Sequence, residues 1–160
     1  MKLELKDLSI RYLDEYCKYI EEAQTTDPEE FGEEEINIVE CAEATKSRFS
    51  DPMYKNVSCI LAIIDNEVVG SIEYHYYGAF PTGMRMAYIS CIHVLKKYRH
   101  FDVAAQLLKE AEQRMQSAGI NEYCLIRSTK EISPSFYDDF TSDSCTSHTI
   151  LKKSLCKDIT

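Results

Sequence analysis

The sequence predicts one mixed α/β domain with a mostly antiparallel sheet, a single parallel strand–helix–strand crossover, and flanking helices. Two stretches support this prediction. Residues 57–64 and 68–77 are rich in β-branched and aromatic residues, and Asp65-Asn66 between them favours a tight hairpin. Residues 87–127 contain an apolar run, an amphipathic segment and a second apolar run. This order is typical of a parallel strand pair joined by a right-handed crossover.

The N-terminal segment predicts a strand followed by a helix. Residues 2–6 alternate in polarity, as a short strand does. Ser9 is a suitable N-cap for the helix, because its hydroxyl can accept a bond from a backbone N–H of the first turn. The predicted buried face of this helix consists of Ile10, Leu13, Cys17 and Ile20.

An acidic stretch and a second helix are predicted before the hairpin. Residues 21–35 contain Asp27-Pro28 and Phe31-Gly32, which favour turns, so we expect a loop there. Residues 36–49 predict a less regular helix, which the sequence 50–52 with its proline ends.

The hairpin leads through a loop into the central strand. Alternation in its second strand places Ile72, Tyr74 and Tyr76 on one face of the sheet and Glu73, His75 and Tyr77 on the other. Residues 78–83, which include Pro81, predict the loop.

The central unit consists of a strand at 87–94, a basic turn at 96–101, a helix at 103–118 and a strand at 122–127. Gly119 suits a left-handed cap at the end of the helix. The predicted buried face of the helix recurs every four residues, at Val103, Leu107, Ala111 and Met115.

The C-terminal part predicts a short helix beginning at Ser133-Pro134 and a final strand within residues 146–155. No repeat, low-complexity tract or linker divides the chain, so residues 1–160 are predicted to form a single domain.

Composition indicates a globular protein that is neither secreted nor embedded in a membrane. The chain has 160 residues, of which 44% are hydrophobic, with five glycines and four prolines. We expect no transmembrane helix, and charges at Lys2, Glu4 and Lys6 argue against a secretory signal, so a cytoplasmic location is expected.

The seven cysteines are scattered and never form a C-x-x-C pair. This arrangement argues against a disulfide framework and against a cysteine-rich zinc site, and no metal is expected. The cysteines are predicted to be small buried hydrophobic residues in a reducing compartment.

The negative charge of the chain is concentrated in one segment. Residues 21–40 contain nine acidic residues and no lysine or arginine, which matches the formal net charge of −9. Such a surface would repel nucleic acid and attract a cationic acceptor. The alternative is an acidic loop that only aids solubility.

The junction between the central strand and its helix predicts an anion site. A strand that turns into a helix directs unpaired backbone N–H groups and the positive end of the helix dipole to one point. Lys96, Lys97 and Arg99 in the turn favour a phosphate or pyrophosphate there. The alternative is that these cations are solvated loop charges.

The same junction resembles motif A of the GNAT superfamily of acetyl-CoA-dependent N-acetyltransferases, in which a strand leads into R/Q-x-x-G-x-G/A. Residues 99–104 here are RHFDVA, so Arg99 and Ala104 match the motif, whereas Asp102 replaces its first glycine. Residues 134–140, PSFYDDF, resemble the family's motif B less closely.

The resemblance implies acetyl-CoA as co-substrate and a primary amine as acceptor. The acidic 21–40 segment favours an amine on a cationic small molecule or a basic peptide. The resemblance also implies that the strand end Ile92-His93-Val94 bonds to the pantetheine arm, and that the Ile92 N–H polarises the acetyl carbonyl. The pyrophosphate would be held by the amides of Arg99, His100, Phe101, Asp102, Val103 and Ala104.

Catalytic side chains are less clearly indicated. Tyr137 matches the family tyrosine that protonates or hydrogen-bonds the CoA sulfur, and its alternative role is aromatic packing. Strand alternation directs His93 away from the face of Ile92, so we expect a partly buried histidine. Glu73 is the candidate general base, acting through a water, and its alternative role is that of a solvent-facing strand residue.

Asp102 keeps a second hypothesis open. It adds bulk and negative charge where the family glycine approaches the pyrophosphate, and as a favoured N-cap it could occupy the same N–H groups. The alternative to an enzyme is therefore a degenerate fold that binds CoA or regulates without catalysis. Neither a nucleic-acid partner nor a membrane is expected, and a homodimer is left open.

Overall fold

The structure is a computed structural model that describes residues 2–28, 36–79 and 83–125. Within these ranges the strands form one sheet in the order β1-β2-β3-β4-β5. Neighbouring strands are antiparallel except β4 and β5, which are parallel, so the predicted fold class is confirmed. The strands are β1 (Leu3–Asp7), β2 (Val57–Ile64), β3 (Glu67–Ala79), β4 (Met84–Val94) and β5 (Tyr123–Leu125). The helices are α1 (Leu13–Thr26), α2 (Ile38–Arg48) and α3 (Val103–Ser117), with 3₁₀ helices at Ile10–Tyr12, Pro52–Tyr54 and Lys96–Phe101.

The β2–β3 hairpin forms as the sequence predicts. Asp65 and Asn66 both have left-handed backbones, with φ of 50° and 69°, as a two-residue turn requires when it follows the right-handed twist of its strands. β3 continues to Ala79, so the loop predicted at 78–83 begins later than expected. Residues 80–82 lie outside the described ranges.

Alternation along the strands gives the sheet two apolar faces, each covered by one helix. Ile60, Ile72 and Tyr74 are buried on the face that packs against α3. Leu61 and Ile63 are buried on the opposite face, against α1. The α3 residues predicted to form its buried face are all buried, namely Val103, Leu107, Ala111 and Met115.

The N-terminal predictions need two corrections. Ile10 is 63% exposed, because the segment begins with a 3₁₀ turn and the α-helix starts only at Leu13. The Ser9 side chain makes no capping bond. The acidic stretch was predicted to be a loop from residue 21, but α1 continues to Thr26 and ends where Pro28 disfavours a helical backbone at Asp27.

The crossover is confirmed where the structure describes it. Gly119 has a left-handed backbone with φ of 72° after α3, and β5 lies parallel to β4. Residues 126–160, with the predicted final helix and strand, lie outside the described ranges, so the single domain stays a prediction. Among the described helices, none has the length and apolar character needed to cross a membrane.

Candidate active site

The β5-facing edge of β4 presents backbone groups near its C-terminal end. In the described residues, β5 pairs with β4 only between Ala87 and Ile89. The Leu95 N–H donates to the Val69 carbonyl at 2.9 Å across the β3–β4 pair. Because strand residues two apart point their backbone groups the same way, His93 also bonds toward β3. The backbone N–H and C=O groups of Ile92 and Val94 therefore face the β5 side.

A β-bulge lies just before this edge. The pairing of β3 with β4 shifts from Glu73 opposite Cys91 to Tyr74 opposite Ile89, so Ser90 is an extra residue in β4. A bulge bends a strand and redirects its side chains, and bulges are common beside active sites. The bulge could not be predicted, since neither glycine nor proline lies at this position.

The predicted anion site follows at the start of α3. Asp102 has a left-handed backbone with φ of 59° and ψ of 20°, a conformation that glycine adopts without strain. This backbone explains why the motif carries glycine at that position. The Asp102 carboxylate makes no capping bond, so the prediction that it could occupy the helix N–H groups is wrong. The first intrahelical acceptor is the Asp102 carbonyl, which Gln106 reaches at 3.1 Å, so the N–H groups of the first turn point outward.

Asp27 fixes the basic turn from the end of α1. Its side chain is 2% exposed and accepts bonds from Lys96 Nζ at 2.9 Å, His93 Nε2 at 3.2 Å and Arg99 Nη2. Arg99 also donates from Nε to the Val94 carbonyl at 3.0 Å. Burial raises the pKa of Asp27, but the bonds from Lys96 and His93 and the charge of Arg99 outweigh it and lower that pKa. Asp27 was predicted only as part of a turn with Pro28, and its role as the partner of the basic turn was missed.

A buried chain of hydrogen bonds runs from Asp27 along the face of the sheet that α1 covers. His93 Nε2 must donate to the Asp27 carboxylate, because an ionised carboxylate can only accept. His93 Nδ1 therefore accepts from the Tyr19 hydroxyl at 2.7 Å, and Tyr19 accepts from Ser71 Oγ at 3.2 Å. Burial lowers the pKa of His93 despite the neighbouring Asp27, which keeps the ring neutral at pH 7. We expected a partly buried His93, and the structure buries it more fully, at 7% exposed.

This histidine makes stability depend on pH. The folded pKa of His93 lies below its ordinary unfolded value of about 6.5, so the unfolded chain binds the proton more tightly. The stability that the neutral His93 ring contributes is fully present above about pH 6.5, the unfolded pKa, and is lost as the pH falls from there toward the folded pKa. We expect urea denaturation to show a free energy of unfolding that falls from pH 7 to pH 5, by at most about 1.4 kcal/mol per pH unit for this one site. The slope should be shallower in His93→Gln, and an equal slope would contradict this account.

The cations of the turn are paired with acidic side chains, and Lys96 and Lys97 also stay about half exposed to solvent. Lys97 contacts Glu22 at 2.7 Å, and Lys96 and Arg99 both contact Asp27. Two residues of the acidic segment are therefore used to hold the turn. Because their charges offset the three cations in part, an anion at this junction would depend chiefly on the backbone amides and the helix dipole.

A polar cluster lies on the opposite face of the β3–β4 pair from α3. Glu73 accepts from Arg48 Nη2 of α2 at 2.5 Å and from Ser90 Oγ at 3.0 Å, and it lies 3.3 Å from His75 Nε2. Burial raises the pKa of Glu73, but the Arg48 bond and charge outweigh it and lower that pKa. Glu73 is thus a weaker base than an ordinary glutamate, and it is only a quarter exposed rather than solvent-facing.

The other predicted site residues are divided between surface and core. His100, Phe101 and Asp102 are exposed around the junction, whereas Val103 is 1% exposed and packs in the core. Ala104 is half-buried in the first turn of α3. Tyr137 lies outside the described ranges, so its role stays a prediction.

The cysteine prediction holds only in part. Cys17 is buried, whereas Cys91 of β4 and Cys124 of β5 are exposed. Within residues 2–28, 36–79 and 83–125, no three histidine, cysteine or acidic side chains are grouped closely enough to hold a metal ion.

Comparisons with solved structures place this architecture among acetyltransferases. The chain is similar to a ribosomal-protein-alanine N-acetyltransferase from Brucella melitensis biovar Abortus 2308, with 13% identity over 95% of this chain and 100% of that one, and a TM-score of 0.74. It is also similar to an aminoglycoside acetyltransferase from an uncultured soil metagenomic sample, with 15% identity over 95% and 97% of the two chains and a TM-score of 0.73.

An integron cassette protein from the mobile metagenome of V. cholerae gives a TM-score of 0.78 at 14% identity, over 96% of this chain and 93% of that one. At such identities the likeness shows the fold alone. A comparison with curated proteins finds no match. The acetyltransferase (GNAT) family, however, matches residues 15–140, which include both the central crossover and the hairpin. The chain therefore belongs to the GNAT family and is an acyltransferase.

Proposed function

We propose that this protein transfers an acetyl group from acetyl-CoA to a primary amine. One observation supports the proposal most: the backbone groups of Ile92 and Val94 that face the β5 side belong to the strand that leads into the first turn of α3, whose N–H groups are not capped by the Asp102 side chain. An elongated ligand with a polar arm and an anionic group needs this combination of a strand edge and a helix N-terminus.

The junction fits the pyrophosphate of acetyl-CoA in chemistry. Phosphate oxygens accept hydrogen bonds, and the amides at residues 102–104 donate them without an intervening side-chain cap. Acetyl-CoA would supply an acetyl group activated as a thioester. The Ile92 N–H would stabilise negative charge on the acetyl oxygen, and Ile92 and Val94 would align the pantetheine arm.

The test of this function is direct detection of an acetylated product. The full chain is incubated with acetyl-CoA and a set of amines that includes a polyamine, a lysine-rich peptide, an aminoglycoside and a neutral primary amine. Thiol release and mass spectrometry of the amine together report acetyl transfer. Thiol release without an acetylated amine would indicate hydrolysis and would contradict the proposal.

Tyr137 is proposed to donate a proton to the departing thiolate, on the strength of its motif B position alone. A phenol has an ordinary pKa close enough to that of a thiol for this transfer. Tyr137→Phe would retain the ring and remove only the hydroxyl.

A cationic acceptor is proposed from the charge of the chain. Glu22 and Asp27 are paired with the basic turn. The acidic residues of the 21–40 segment still outnumber the lysine and arginine residues of that turn. We expect kcat/KM for a polyamine to exceed that for a neutral amine and to fall several-fold when salt rises from about 0.01 M to 0.3 M, because added salt screens long-range attraction. Equal values for both amines, unchanged by salt, would rule out steering.

A further inference from the structure

His75 lies in the polar cluster of Glu73, Ser90 and Arg48 beside the β4 bulge. Its ring is on the same sheet face as Glu73, with Nε2 at 3.0 Å from Ser90 Oγ and 3.3 Å from Glu73 Oε1. The side chain is 36% exposed, whereas Glu73 is 25% exposed and bound to Arg48. Of the two ionisable groups, His75 is therefore the more accessible to solvent and to a substrate.

The hydrogen bonds fix which ring nitrogen carries the proton. An ionised Glu73 carboxylate can only accept, so a lone pair on His75 Nε2 facing Oε1 would be repelled. Ser90 has one hydroxyl proton, which it can give to Glu73 Oε1 at 3.0 Å while accepting from His75. Nε2 therefore carries the hydrogen and Nδ1 carries the lone pair. A carboxylate that holds one ring nitrogen in this way orients the ring and fixes its tautomer.

We propose that His75 is the general base of the transfer, with Glu73 as the residue that positions it. This inference rests on the proposed function. It replaces Glu73 as base, because the Arg48 ion pair keeps that carboxylate ionised but engaged. Ser90 lies two residues before Ile92, about 7 Å along β4 at roughly 3.3 Å per strand residue, so an acceptor amine that lies between the Ile92 N–H and the ring can reach His75 through water.

The proposed step balances as follows. An acceptor ammonium gives one proton to His75 Nδ1, directly or through a water. The neutral amine attacks the acetyl carbonyl carbon of the acyl thioester, so a C–N bond forms and the C–S bond breaks with its electron pair going to sulfur. Sulfur takes up one proton, and the nitrogen loses its second proton as the amide forms. Net release is one proton, which leaves from the imidazolium to solvent.

The test compares His75→Gln with wild type in the full chain. The glutamine amide can still donate to Glu73 and Ser90, but it cannot accept a proton. We expect kcat/KM at pH 7 to fall about 10²- to 10³-fold with the polyamine as probe. The calorimetric affinity for acetyl-CoA should stay within about twofold.

The pH profile separates a base from a structural residue. The titratable and charged groups near His75 are Glu73 on its own strand, Tyr88 on β4 and, through Glu73, Arg48 on α2. In wild type, kcat/KM should rise with pH and reach a plateau as the base deprotonates. In His75→Gln it should continue to rise until the acceptor amine itself loses its proton. Glu73→Gln should lower the rate less than His75→Gln does.

Tyr77→Phe is the matched control, because Tyr77 lies two residues along on the same face and its hydroxyl contacts the sulfur atoms of Met86 and Cys124 rather than Glu73 or Ser90. It should retain wild-type activity. His75→Asn replaces His75→Gln if the latter does not fold. Wild-type rates and an unchanged pH profile in the histidine variant would overturn the assignment while leaving the proposed function intact. A wild-type protein that binds acetyl-CoA but acetylates no amine would overturn both.

Discussion

Asp27→Asn should lower the free energy of unfolding by about 2–3 kcal/mol at pH 7, because it removes the one buried charge that pairs with the basic turn. The Asp27 side chain is 2% exposed, and its carboxylate accepts hydrogen bonds from His93, Lys96 and Arg99. Asparagine keeps the shape of the side chain but leaves the Lys96 and Arg99 charges without a counter-charge. Urea denaturation should report the loss, with a fall in thermal midpoint of roughly 5–10 °C.

Glu22→Gln is the matched control for this prediction. It removes one negative charge from the same helix and the same turn, but the Lys97–Glu22 pair is well exposed, with side chains 50% and 38% accessible. Exposed pairs contribute about 1 kcal/mol or less. The pKa of Asp27 is lowered in the folded state, so its contribution is present above the ordinary unfolded value of about 3.9 and is lost as pH falls through the folded value. Equal destabilisation by the two variants would contradict a buried anchor.

Asp102→Gly should bind acetyl-CoA about three- to tenfold more tightly than wild type and should fold more stably. The side chain adds a negative charge beside the proposed pyrophosphate site, and at about 8 Å with partial screening one such charge costs around 1 kcal/mol. The left-handed backbone of Asp102, at φ of 59°, costs a further ~1 kcal/mol that glycine avoids. Calorimetric titration gives the affinity, and urea denaturation gives the stability.

Asp102→Asn separates the two causes. Asparagine tolerates the left-handed backbone about as well as aspartate but carries no charge. If charge dominates, the asparagine variant should show most of the gain in affinity with little gain in stability. Weaker binding in both variants would mean that the aspartate organises the turn, which is the opposite of what the missing capping bond indicates.

Local chemistry explains which parts of the fold could be predicted from the sequence. The hairpin was predictable because Asp65-Asn66 suits a turn with two left-handed residues, and α3 because its apolar residues recur every four positions. Both signals lie within one element and need no knowledge of distant contacts. The extent of α1 was missed because the turn signals Asp27-Pro28 and Phe31-Gly32 led to a loop being predicted from residue 21 onward, although Glu21 and Glu22 are good helix formers.

The candidate site was predicted only where it depends on the backbone. The strand-to-helix junction follows from element order, so an anion site at the basic turn and the first turn of α3 could be predicted from the sequence, and it stays a prediction. Asp27 could not, because its partners Lys96 and Arg99 are about seventy residues away and only the fold brings them together. His75 was missed for the same reason, since its relation to Ser90 depends on a bulge that no sequence signal marks.

A calorimetric comparison of acetyl-CoA with acetyl-pantetheine tests the central claim most directly, because the two ligands share the thioester arm and differ in the diphosphate and nucleotide. The claim is that the backbone N–H groups at the start of α3 bind the diphosphate, while the edge of β4 bonds to the pantetheine arm. Acetyl-CoA should bind to the full chain with a dissociation constant in the micromolar range, and acetyl-pantetheine should bind at least tenfold more weakly. Equal affinities, or no heat of binding with acetyl-CoA at millimolar concentration, would contradict it.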